Sequence, residues 1–410
     1  MIDIALLRTD PDLVRRTARA KGSDVNVDRL IEVDGELRQE QTQAEELRAQ
    51  QKKLGRGADI EAARDLKSRL QAANDRVRDL QAERDDLWVR VPNIFPADTP
   101  SGDDDEGNVE LRSVGAPKPT DEARAHEVIG ERLGIFDLRR AAEVSGAGFY
   151  YWKGDGARLA WAMFSYVQDL LVQRGFSPML TPLMARERTF FGTGFLPFFE
   201  DQLYRVQGTD LSLIGTTEQT LIGFYGDTIL DPEELPIQVA AFSPCFRTEA
   251  GAAGRTNRGG FRAHQFHKVE QIVLCHPEQS DHWLNECQRN VEDILDGLEL
   301  PYRVVRVCLG DMGAPTYKKY DTEAWFPSFG LYRETHSNSN LWDYQSRRFK
   351  IRFKDGNGKT VLPHTISSTG ITDRAALAIL ENHVQADGTI YIPKALRPYL
   401  GGQEWIGRRD

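Results

Sequence analysis

The 410-residue sequence has four cysteines, and none falls in a CxxC pair or at metal-ligand spacing. Cys245, Cys275, Cys287 and Cys308 are read as idle or buried thiols of a reducing compartment, which excludes a disulfide framework. No apolar run approaches the ~20 residues that span a bilayer, so no membrane association is expected. The opening MIDIALLRTDPDLV carries an acid at Asp3 and no basic stretch, unlike a secretory signal, and a cytoplasmic protein is expected. The two common nucleotide signatures of α/β proteins are missing as well: there is no P-loop, and no G-x-G-x-x-G between strand and helix. A nucleotide site must therefore be built another way. Positive charge is also scarce, since 52 Lys and Arg against 62 Asp and Glu leave a net charge of −10. That excludes a protein that coats nucleic acid unspecifically, though not a local basic patch.

From about Val27 to Val91 proline nearly vanishes and Gln, Glu, Arg and Ala dominate. Leu66, Leu70, Ala73, Val77, Leu80, Leu87 and Val91 follow heptad spacing, and Leu30, Val33, Leu37, Ala44, Leu47 and Leu54 keep the same register. Gly55-Arg56-Gly57 interrupts the two runs and predicts an antiparallel helical hairpin. Arms of ~30 residues at 1.5 Å rise would project ~40–45 Å. A dimerising zipper or a spacer would use similar heptads, but the glycine break favours pairing within the chain. Lys52, Lys53 and Arg56 cluster at the tip, where they form either a solvated cap or a contact for RNA backbone. PNIFPADTPSGDDDEGNV follows, rich in Pro, Gly and Asp, and reads as a linker. Beyond it helix and strand patterns alternate without repeats.

The most informative stretch is FRTEAGAAGRTNRGGFRAHQFHKVEQ, Phe246 to Gln271. It reads as a β-hairpin with Arg247 and Glu249 on the outgoing strand and Phe266, Lys268 and Glu270 on the return, joined by a long, mobile, glycine-rich connection. Side chains at i and i+2 share a strand face, so both strands aim cations, carboxylates and a ring at one surface. A salt-bridged exposed hairpin could carry the same charges. The set also suits a nucleotide, with Arg for phosphate, Phe for stacking and acids for amino groups.

All 26 residues, in order, resemble motif 2 of class II aminoacyl-tRNA synthetases, specifically of seryl-tRNA synthetases. Four further stretches resemble the same core: RGFSPMLTP, Arg174 to Pro182, as motif 1; Thr216-Thr217-Glu218 as the T-x-E loop; YRETHSNSNLWDYQSRR, Tyr332 to Arg348; and HTISSTGITDRAALAILENH as motif 3. The resemblance spans essentially the whole chain, arm included. It implies an α+β fold: a class II core, an antiparallel sheet flanked by helices, with an N-terminal coiled-coil arm. The expected domains are 1–95 with a tRNA-binding arm, a linker at 96–115 and a catalytic domain at 116–410. A homodimer through motif 1 is implied too.

By the same resemblance the chain forms seryl-adenylate from serine and ATP with Mg²⁺, then loads serine tRNA. Arg247 would hold the α-phosphate and the serine carboxylate. Glu249 would accept from the adenine amino group and Phe266 would stack on the base. Arg262 and Lys268 would lie along the phosphates or the tRNA end. Glu334 and Ser337 would meet Mg²⁺ and the phosphates, and Arg374, opening a helix from Ala375 to His383, would take the γ-phosphate. Thr216, Glu218, Glu270 and Thr369 would hold serine, and Lys52, Lys53 and Arg56 would touch tRNA. The chain departs from the family pattern near the amino-acid pocket. Gly215 replaces a Pro, Ser367 an Asn, Phe224-Tyr225-Gly226-Asp227 a His-Arg-Asp segment, and motif 3 is one residue shorter. These departures leave open a divergent paralogue with a biosynthetic or resistance role, or one that activates a different amino acid. A coiled-coil binding protein on a dead core is the third reading. Against it stand Arg247, Glu249, Phe266, Glu334 and Arg374, all retained.

Overall fold

The computed structural model describes residues 1–54, 60–249 and 259–407, and the chain divides into two compact units, Met1–Ile94 and Phe95–Asp410. In the first unit, α1 (Ile4–Thr9) and α2 (Pro11–Ala20) precede two long helices, α3 (Val27–Lys53) and α4 (Ile60–Val89). Asn26 caps α3 by accepting from the Arg29 N–H, and Asp10 caps α2 by accepting from Leu13. The heptad positions form the seam between α3 and α4. Val33 and Leu37 pack with Leu80, and farther out Ala44 and Leu47 pack with Leu66, Leu70 and Ala73. Arg29 reaches Glu83 at 2.8 Å and Arg76 reaches Glu36 at 2.8 Å, so ion pairs also cross the seam. Helices of 27 and 30 residues are about 40 and 45 Å long. Two heptad positions, Leu30 and Val91, fall in the base cluster instead. Val91 lies past the end of α4 and is buried against Leu7, Val14, Val27 and Leu30 at the base, where hydrophobic burial outweighs continued helix. The Gly55-Arg56-Gly57 turn lies outside the described residues.

The second unit is organised on an eight-stranded sheet: β1 (Val109–Val114), β2 (Ser177–Met179), β3 (Ile237–Phe246), β4 (Gln265–Cys275), β5 (Tyr302–Arg306), β6 (Lys318–Phe326), β7 (Leu331–Trp342) and β8 (His364–Thr372). Their spatial order is β1-β5-β6-β7-β8-β4-β3-β2, and every pairing is antiparallel except β2 with β3. One face is covered by α5 (Asp155–Gln173), α7 (Ser280–Gly297) and α8 (Asp373–His383), whose Leu159, Met163, Val291, Ile294 and Leu377 join Val269, Val273 and Ile366 in the main core. A short helix, α6 (Glu218–Phe224), packs with Ile272 and Leu274 on the other face through Leu221 and Ile222.

Residues 96–115 are not a free linker. Val109–Val114 pairs with β5 as an edge strand, and Asn108 accepts from the Cys308 N–H at 2.8 Å while donating to Asp311 at 2.9 Å. The open backbone edge of β5 supplies the reason, because unpaired strand groups are best satisfied by another strand.

Candidate active site

Strand β4 shows how one segment serves core and site at once. Its odd positions, Val269, Val273 and Cys275, face the helices. Phe266, Lys268 and Glu270, on the other face, line a cavity of about 500 Å³. The cavity brings together all ten residues expected to bind ATP or serine: Thr216, Glu218, Arg247, Glu249, Phe266, Glu270, Glu334, Ser337, Thr369 and Arg374. Arg247 and Glu249, expected within the outgoing strand, lie beyond its end at Phe246, and Glu249 adopts a left-handed φ of 51°. They reach the cavity from a loop. The connection at 250–258 lies outside the described residues.

Two bulges set the remaining geometry. Thr322 opposes His336 and Glu323 opposes Glu334, leaving Thr335 unopposed on β7. In a regular strand Glu334 and Ser337, three apart, would face opposite ways, and the extra residue turns both into the cavity. On β8 the register shifts between Thr369 and Ile371, around Gly370. That lets Ser367 and Thr369 line the cavity while Ile366 and Ile371 both reach the core.

At one end Glu249 forms an ion pair with Arg262, and the Arg247 guanidinium lies 5.4 Å from the Phe266 ring centre. Arg247 Nε donates to the Gly215 carbonyl at 3.1 Å. Arg374, second residue of α8, donates to the Glu334 carbonyl at 2.8 Å, pairs with its carboxylate at 3.5 Å and stacks on Phe261 at 4.5 Å. Burial raises the Glu334 pKa, but Arg374, Lys319 and Arg247 outweigh it and hold the carboxyl below its ordinary value. Glu334 is therefore an anion ready for a cation. Among the described residues no three His, Cys, Asp or Glu side chains converge as a metal nest. A magnesium ion that shares phosphate oxygens needs only one or two carboxylates, and Glu334 with the Ser337 hydroxyl fits that requirement.

At the other end Lys268 is buried, donates to Thr216 Oγ1 at 2.6 Å and pairs with Glu270. It was expected along the phosphates or the tRNA end. Sharing the β4 face with Glu270, it instead belongs to the wall of small polar groups. Ser367 donates to Glu270 Oε1 at 2.9 Å, and Gln345 donates to Glu218. Burial, then the nearby charge of Glu270, pushes the Glu218 carboxyl up to about 7. Glu381, farther along α8, faces away from the cavity, where it accepts from His126 and Ser328. Lys52 and Lys53 are exposed in the last turn of α3, and Arg56 lies outside the described residues. Lys319 and Gln219 line the cavity without having been anticipated. Only Lys319, alternating with Asp321 across an intervening Tyr, gave any signal, and it was indistinguishable from a mixed-charge strand.

Residues 1–95 match the family model of the seryl-tRNA synthetase N-terminal domain, and residues 201–383 match that of the tRNA synthetase class II core domain for G, H, P, S and T. The serine–tRNA ligase of Desulfitobacterium hafniense (strain DSM 10664 / DCB-2) is 40% identical over 422 residues, covering 99% of this chain and 100% of the relative. The chain belongs to the seryl-tRNA synthetase family. Two solved structures of that family superpose along nearly its whole length. Seryl-tRNA synthetase from Pyrococcus horikoshii, complexed with ATP, gives a TM-score of 0.93 at 37% identity, covering 100% of both chains. The cytoplasmic serine–tRNA ligase from Naegleria fowleri, in complex with AMP, gives 0.88 at 31% identity, covering 98% of this chain and 96% of that one.

Three of the positions where a departure from the family pattern is expected make specific contacts in the structure. Gly215, where a Pro is usual, donates its N–H to Gln219 Oε1 at 2.9 Å, a bond proline cannot make. Ser367, where an Asn is usual, still reaches Glu270. At the junction of β8 and α8, Asp373 accepts from Trp152 Nε1 at 3.3 Å and meets His267 Nδ1 at 3.1 Å, tying α8 to β4.

Proposed function

We propose that the chain is a serine–tRNA ligase: it joins serine to the α-phosphate of ATP, releases pyrophosphate, and passes the seryl group to the 3′ end of serine tRNA. The observation that carries the reading is the convergence of Arg247, Glu334 and Arg374 with the Glu218–Glu270–Thr216 wall in one cavity. A carboxylate oxygen of serine attacks the α-phosphorus as the bond to the pyrophosphate oxygen breaks. Arg247 neutralises charge that grows on the α-phosphate and aligns the attacking carboxylate. Phe266 stacks on adenine, Glu249 accepts from its amino group, and Arg374 holds the γ-phosphate. Arg262, paired with Glu249, closes the nucleotide end of the cavity. Glu334 and Ser337 would hold magnesium together with the triphosphate, and the ion would supply further charge neutralisation. Glu218 takes the serine ammonium, while Thr369 and Glu270 meet the serine hydroxyl. A site built to hydrogen-bond a hydroxyl rejects an analogue without one far better than apolar packing can. In the second step a ribose hydroxyl of the tRNA end attacks the acyl carbon and AMP leaves, so no protein nucleophile is needed.

Lys52, Lys53 and Arg56 at the arm tip meet the backbone of serine tRNA, and a homodimer forms through the motif 1 segment. Leu180 of that segment is 89% exposed, which supports an interface there. The four cysteines are free and buried, and among the described residues no helix is long and apolar enough to cross a membrane. Neither the cavity nor the relatives favour another amino acid or a specialised paralogue. The test is charging of serine tRNA with labelled serine. Arg247→Ala is expected to lower adenylate formation by at least ~100-fold; near-normal activation in that variant would overturn the assignment.

A further inference from the structure

Among the described residues, the roles above leave one cation of the cavity unused. Lys319 and Asp321 stand two apart on β6 and share a face, opposite Ser339 and Ser337 of β7, and Lys319 and both serines line the cavity. Lys319 Nζ lies 2.9 Å from Asp321 Oδ2, with the two side chains only 15% and 6% exposed. Asp321 Oδ1 is buried and makes no hydrogen bond. The pair is thus a one-point anchor, and the ammonium keeps two further N–H donors for a ligand. Although burial opposes it, the fields of Asp321, Glu334 and Asp311 keep the ammonium charged, above the ordinary lysine value. Lys319 also acts on Glu334, so that carboxylate is approached by cations from three elements: Arg374 on α8, Arg247 past β3 and Lys319 on β6. Position separates Lys319 from the other ends of the site. Strand β6 is three strand spacings, about 14 Å, from β4, which carries Phe266, Lys268 and Glu270.

We propose that Lys319, oriented by Asp321, is a phosphate-binding residue that grips the pyrophosphate portion of ATP and the pyrophosphate released from it. The proposal rests on the adenylating function above and deepens it. Asp321 offsets the cost of burying the ammonium, and the N–H donors left over beside the cavity suit a multiply charged phosphate chain better than a single phosphate. Asp321 acts through the lysine and is a positioning residue.

Calorimetric titration of the full chain with MgATP, magnesium pyrophosphate and AMP separates this role from a structural one. Lys319→Met should weaken MgATP and pyrophosphate by about 10- to 100-fold, the range of one charge-assisted hydrogen bond, and leave AMP unchanged. Lys319→Arg should restore most of the loss, and Asp321→Asn should show a smaller loss of the same pattern. Should Lys319→Met fail to fold, Lys319→Gln takes its place with the same expectation. Equal loss for AMP and MgATP, or unchanged affinity for both at an unaltered melting temperature, would overturn the proposal. Serine-dependent exchange in the unaltered protein is measured alongside. Its absence would sink the functional reading itself, whereas normal exchange with unchanged pyrophosphate affinity in the variant would sink only the lysine assignment.

Discussion

At the scale of single residues, the site works by setting charges against burial. Glu218 illustrates the consequence. Its carboxyl is held up to about 7 by burial and by Glu270, against an ordinary value of 4.5. The folded protein therefore keeps a proton that the unfolded chain loses, and stability from this group falls as pH rises from about 4.5 to about 7. The effect on binding has the opposite sense, since an ammonium ligand favours the ionised carboxylate. The kcat/KM for serine is expected to fall as pH drops below about 7, by on the order of tenfold per unit. Glu218→Gln should flatten that acid limb; a limb unchanged in the variant would assign it to another group. The residues that line the cavity were legible because their types and order matched a known motif. Their partners were not. The resemblance placed Lys268 along the phosphates or the tRNA end, whereas its buried contact with Thr216 could come only from the fold.

At the scale of elements, alternation and heptads carried the reading, and irregularities limited it. The seam of α3 and α4 was visible because apolar spacing alone sets which residues meet. The bulges at Thr335 and Gly370 were not visible. Nothing at Thr335 announces the bulge that turns Glu334 and Ser337 the same way, and Gly370 alone did not reveal the one that lets Ile366 and Ile371 both reach the core. The edge strand at Val109–Val114 was hidden for a similar reason. Its six residues are all exposed, so it lacks the half-buried alternation that marks a strand. The arm gives the test at this scale. Removing all of 27–91 would also strip Val27, Leu30 and Val91 from the base, so the clean variant excises 44–73 and rejoins the helices with a short glycine-serine turn. Adenylate formation is expected to stay within about twofold of the intact protein, while kcat/KM for tRNA falls at least ~100-fold. Parallel loss of both activities would mean that the arm supports the catalytic unit instead.

At the scale of the whole molecule, a net charge of −10 repels nucleic acid in general, which confines RNA to places where cations are presented. The proposed homodimer belongs to this scale too. Sedimentation is expected to give twice the chain mass. Leu180→Asp, which puts a charge where about 1.5–3 kcal/mol of burial is expected per side chain, should shift the protein to monomer. A variant that stays dimeric would move the interface elsewhere. The central claim, that this cavity adenylates serine, is tested most directly by ATP–pyrophosphate exchange without tRNA, run across all the proteinogenic amino acids. Exchange with serine alone is expected. Exchange driven by another amino acid, or by none, would contradict the account.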